Sequence, residues 1–181
     1  MRTHYWESRQ SMTPQKALEF LKEGNERFVN NLRVNHNLLQ LVNETAEKQF
    51  PIAAILSCSD SRVPVELVFD QSLGDIFSIR LAGNIASQNA VGSMEYACKI
   101  LGSKLLVVMG HTHCGAVKAA CDGFKMDNLD LLLSHIHPAV DAETETIQNR
   151  RSDNGRFLNN VTDLNVHHQI KLILNTSPLI R

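Results

Sequence analysis

Three short apolar runs, each ended by a polar turn and separated by stretches of helical spacing, constrain this chain more than any other feature. Pro51-Ile-Ala-Ala-Ile-Leu56 is continuously apolar and stops at Ser-Cys-Ser-Asp-Ser, as suits a strand buried on both faces. Asp75 to Leu81 follows a Gly74-Asp75 turn and ends at the Ala82-Gly83-Asn84 break, giving a second strand. Lys104 to Met109 gives a third. Between the last two, Ser87 to Leu101 places Val91, Met94, Ala97, Cys98 and Leu101 at three- and four-residue spacing before Gly102, the pattern of an amphipathic helix. Strands alternating with helices imply an α/β fold with a central, mostly parallel sheet flanked by helices.

The flanks extend that reading. Thr13 to Asn31 predicts an N-terminal helix with Thr13 as cap and Pro14 in the first turn. Leu32 to Thr45 is polar and poorly periodic, which predicts an irregular arm that packs on a partner. Gly115 to Cys121, Leu129 to His137 and Val161 to Leu174 read as helices. The 181 residues are expected to form one domain, with a helical arm over 1–48 and an α/β core over 49–181. A net charge of -1 offers no field for nucleic acid or an anionic membrane surface, so neither is expected as a partner. No apolar run approaches the roughly 20 residues that span a bilayer. The polar amino end carries no signal-like core, and a soluble, cytoplasmic protein is expected.

Chemistry concentrates where two strands end. Cys58 closes the first strand, and His111-Thr-His-Cys114 closes the third. Ligands of open α/β sheets bind beyond the carboxyl ends of strands, so neighbouring first and third strands would form one site. Two thiolates and an imidazole make a zinc set with the fourth position left for water. Two thiolates also cancel the formal charge of the ion and weaken it as a Lewis acid, so help is needed. Asp60 and Arg62 are placed to give it, the carboxylate orienting the attacking water and the guanidinium pinning the carboxylate. Were Arg62 drawn away, Asp60 could become a fourth metal ligand and close the site. Other histidines and cysteines are read as structural: His113 turned from the metal, His135 and His137 at the surface or core edge, Cys98 and Cys121 as small packing groups, while His167 and His168 offer no recognisable partner.

Cys58-Ser-Asp60-Ser-Arg62-Val-Pro64 together with Gly110-His-Thr-His-Cys-Gly115 closely resembles both signatures of the β-carbonic anhydrases, and the resemblance runs from about Thr13 to Pro178. It implies reversible hydration of carbon dioxide to bicarbonate, zinc on Cys58, His111 and Cys114, and a catalytic Asp60–Arg62 dyad. Gln49 matches a substrate-binding glutamine of the plant-like subtype that reaches the partner subunit's site, implying a homodimer or a higher homo-oligomer. Ile55 stands where the bicarbonate-inhibited subtype has tryptophan, although Arg80 matches that subtype's regulatory arginine; the regulatory pocket is not expected to assemble. Chains of the family continue past the region of Ser177-Pro178 with a further strand, so an open sheet edge and uncovered apolar surface are expected here. Two other functions stay open: hydrolysis of carbonyl sulfide or carbon disulfide at the same motifs, and a zinc-binding protein of little activity.

Overall fold

The computed structural model describes residues 11–181. Its centre is a three-stranded sheet in the order β2-β1-β3, built from β1 (Ala53–Ser57), β2 (Ile76–Arg80) and β3 (Leu105–Met109). Ile52 N–H donates to the Asp75 carbonyl and Leu81 N–H to that of Ser57; both chains advance together along this pair, and the sheet is parallel. All five residues of β1 are buried, as a central strand covered on both faces demands. Ile55 and Leu56 are fully buried, each contributing about 1.5–3 kcal/mol of hydrophobic stabilisation. β3 lies at a sheet edge, and each of its residues is only half-buried.

Helix α1 (Pro14–Val29) starts where the sequence sets its cap: the Thr13 side chain accepts from Lys16 N–H, and Pro14 occupies the first turn. The stretch read as an irregular arm contains a helix, α2 (Leu38–Thr45). Asn37 caps it by accepting from Gln40 N–H, and Gln40 donates to Glu44 one turn on, so local polar bonds supply what apolar periodicity does not. The short α3 (Val65–Val68) follows Pro64, and α4 (Gln88–Tyr96) continues as one wider turn, Ala97–Leu101, to a left-handed Gly102. After β3 come α5 (Gly115–Cys121), α6 (Asp127–Ser134), α7 (His137–Ala142) and α8 (Gly155–Thr176). The single helix expected over 129–137 is two helices. α6 stops before Ile136, and Pro138, which has no N–H to continue a helix, begins the next.

The chain divides into two compact units. The first takes in the chain up to Ile55, Val63–Ile79 and Gly92–Val107. Within it, Asp70 accepts from Arg27 Nε at 2.6 Å and from Val34 N–H at 3.3 Å. Gly24 passes so close to the Phe69 carbonyl that an added Cβ would lie 1.7 Å from it, so α1 needs glycine there. The second unit takes in Leu56–Arg62, Arg80–Val91 and Val108–Arg181, which includes the carboxyl ends of the strands and helices α5 to α8. α8 packs there on α7 and α5, burying Phe157, Leu158, Val161 and Ile173.

Candidate metal centre

Every group of the Cys-His-Cys set belongs to the second unit. The ligand atoms of Cys58, His111 and Cys114 lie within 4.8 Å of one another, at the ends of β1 and β3. The two sulfurs are 3.8 Å apart. Two metal–sulfur bonds of about 2.3 Å meeting at a tetrahedral angle give about the same separation. His111 Nδ1 lies 2.9 Å from the Thr112 carbonyl, which can only accept, so Nδ1 carries the proton and, in the neutral ring, Nε2 keeps its lone pair. That Nε2 is buried and has no hydrogen-bond partner. A soft donor set with an orphaned imidazole lone pair fits a cation, and these three side chains could hold one.

Backbone N–H groups surround the sulfurs. Cys58 Sγ accepts from the N–H groups of Asp60 and Gly83, both at 3.4 Å. The Cys114 thiol's own hydrogen bond is the main influence holding the Cys58 thiol below its usual range; burial opposes it, and the two backbone N–H groups assist. The same pairing, with burial, pushes the Cys114 thiol well above its usual range. A cation bound to both sulfurs displaces their thiol protons.

Asp60 and Arg62 meet as a fork. Arg62 donates from Nε to Oδ1 at 2.9 Å, from its terminal nitrogen to Oδ2 at 2.6 Å, and from its backbone N–H to Oδ1 at 2.9 Å. These bonds hold the Asp60 carboxyl well below the usual carboxylate range, the Arg62 side chain first among the causes. Asp60 Oδ2 stands 3.9 Å from His111 Nε2, beside the three donors and outside hydrogen-bond distance. The carboxylate is therefore held by Arg62 rather than turned in as a ligand. Arg80 donates to the Cys58 carbonyl at 3.0 Å and to the Asp60 carbonyl at 2.5 Å, bracing the turn that carries both residues.

Gln49 is exposed in the first unit, where it lines a cavity of about 400 Å³ with Phe50, Tyr96 and Ile100. His113 is exposed and outside the donor cluster, with a positive φ of 56°. Cys121 is buried, its thiol pushed up to about 11 chiefly by that burial; Cys98 is half-buried. His135 and His137 are half-buried, at the core edge. A cavity of about 340 Å³ opens beside His111, lined also by Gly110, Thr112, Asn159 and Thr162. Sequence reasoning passed over Gly83, Asn165 and Gln169. Gly83 was legible only as a strand-ending break, although the carboxyl end of a strand neighbouring β1 is where such a break meets Cys58.

Known proteins place this arrangement. The carbonic anhydrase family matches residues 53–181. "Carbonic anhydrase 2" of Mycobacterium tuberculosis is 35% identical over 169 residues, covering 92% of this chain and 80% of the relative. The carbonic anhydrase of Mycolicibacterium smegmatis is 44% identical over 108 residues, covering 59% of this chain and 52% of the relative. Among solved structures, the Coccomyxa β-carbonic anhydrase in complex with acetazolamide superposes with a TM-score of 0.70 at 25% identity, covering 90% of this chain and 73% of that one. A tetrameric β-carbonic anhydrase of Sordaria macrospora gives 0.67 at 26% identity, covering 92% and 84%. With its cysteines and histidine converging at the strand ends and the family matched across most of its length, the chain belongs to the β-carbonic anhydrases.

Proposed function

We propose that Cys58, His111 and Cys114 hold zinc and that Asp60, set by Arg62, is the catalytic carboxylate of the reversible hydration of carbon dioxide to bicarbonate, the activity this family carries. The convergence of two thiols with an imidazole lone pair that has no other partner supports the metal reading most directly. Zinc, when bound, supplies a Lewis acid that makes water a nucleophile near neutral pH. Asp60, kept ionised by Arg62, can only accept a hydrogen bond, so it orients the attacking water without protonating it. Arg62 also restrains the carboxylate from the fourth ligand position; closing the site by that route requires its fork to open first. The proton released in each cycle leaves to buffer. Gln49 is proposed to bind substrate in the site of a partner subunit, in a homodimer or larger homo-oligomer. No described helix is long and apolar enough to cross a membrane. A cytoplasmic setting belongs to the same proposal, because the metal needs both cysteines reduced.

Stopped-flow hydration of carbon dioxide by protein of measured zinc content tests this. Turnover proportional to zinc is expected. Full zinc with no hydration would overturn the enzymatic reading in favour of a binding protein, and faster turnover of carbonyl sulfide than of carbon dioxide would favour hydrolysis.

A further inference from the structure

α8 buries two amide side chains where a packing helix needs only apolar ones. Asn165 and Gln169, one turn apart, are both fully buried. Gln169 donates to the His135 carbonyl at 3.0 Å and to Asn165 Oδ1 at 2.9 Å, while its own oxygen accepts from Ala86 N–H at 2.9 Å. The Asn165 oxygen being engaged, its Nδ2 points the other way and donates to the Gly83 carbonyl at 2.9 Å. Gly83 N–H in turn donates to Cys58 Sγ. Gly83 holds a φ of 68°, and an added Cβ would fall 2.5 Å from Ile136 Cδ1, so the position calls for glycine.

Burying two amides costs desolvation that apolar residues of the same shape would avoid. Here the amides set the orientation of one residue, and that residue aims its N–H at a sulfur of the donor cluster. A hydrogen bond to a ligating thiolate fixes the direction of its lone pairs and draws off part of its charge, which governs how strongly it donates to a cation.

We propose that Asn165, locked in orientation by Gln169, is a positioning residue of the metal centre, acting through Gly83 on Cys58. The proposal rests on the metal reading above. Asn165→Ala removes the donor to Gly83, and Gln169→Leu keeps the packing volume but frees the Asn165 amide. Val161→Ala, at a fully buried position on the same helix, supplies a control for destabilisation alone. Zinc affinity is measured by chelator competition, and the thiolate-to-cobalt charge-transfer band is recorded on protein loaded with cobalt(II). Asn165→Ala is expected to weaken zinc about 10–100-fold and shift the band, with Gln169→Leu changing both in the same direction but less. Val161→Ala is expected to lower the melting temperature and leave both unchanged. Wild-type affinity and band in a folded Asn165→Ala would overturn the proposal, as would equal changes in Val161→Ala. If Asn165→Ala does not fold, Gln169→Leu decides by the same two readouts. Wild-type protein that takes up no zinc defeats the metal reading instead, a result separable from all of these.

Discussion

Asp60 and Cys58 are two residues apart in one turn, yet their partners give them different jobs. The Asp60 carboxylate is bound on both oxygens by Arg62, whereas the Cys58 sulfur faces Cys114 and two backbone N–H groups. Cys114→Ser removes a soft ligand, so metal analysis should find zinc lost; stoichiometric retention would remove Cys114 from the set. Asp60→Asn keeps the three donors but replaces an ionised acceptor with an amide. It should retain zinc while stopped-flow hydration falls by about 10–100-fold, with Arg62→Ala comparably slow. Wild-type rates in both would exclude the dyad. Arg80 directs Nε and one terminal nitrogen to the carbonyls of Cys58 and Asp60, which ties it to that turn rather than to an anion. Bicarbonate should therefore act only as product, and cooperative inhibition in steady-state kinetics would contradict this.

Asp70 shows how an element is tethered. It sits just after α3 with a positive φ of 45°, nearly fully buried, and it holds α1 through Arg27 and the following segment through Val34. Burial would raise its carboxyl, but the Arg27 hydrogen bond and charge, Val34 N–H and the charge of His36 outweigh it, leaving the group below its ordinary value. The linkage sign follows: the stabilisation is full above the ordinary carboxylate range and is lost as pH falls through the lower folded value. Asp70→Asn should cost about 1–3 kcal/mol in urea unfolding at neutral pH and flatten the acid limb of the stability profile. An unchanged midpoint would show the tether to be idle. The strands were legible to within two residues because continuous apolar runs bounded by turns admit few alternatives. α2 was not, since an exposed helix with Leu38, Leu39 and Val42 outward lacks a clean stripe and its cap lies in the lone Asn37. The sequence around Cys58 and Cys114 pointed to a cluster of metal-type donors, and the fold brings those donors together. Asn165 and Gln169 announced nothing, because a buried amide and a solvated one look alike until the neighbouring helices are in place.

At the scale of the whole molecule, metal and fold are one equilibrium. A cation that binds only the native chain stabilises it by mass action, by about 4 kcal/mol at a free concentration about a thousand times Kd. Chelation should therefore lower the melting temperature, with zinc restoring it and magnesium failing to, since hard cations prefer oxygen donors. Equal melting curves with and without chelator would separate the metal from folding.

The hydrogen bond from Asn165 to Gly83 spans 82 residues, whereas all three candidate ligands lie at or before position 114. On the ribosome, where synthesis runs at about 5–20 residues per second, the amide is added about 3–10 seconds after the last ligand. A soft ion that reaches the nascent chain in that interval meets the donors before the group that fixes Gly83 exists. Slowing translation between positions 114 and 165 would lengthen the interval in which the three donors are present without the amide.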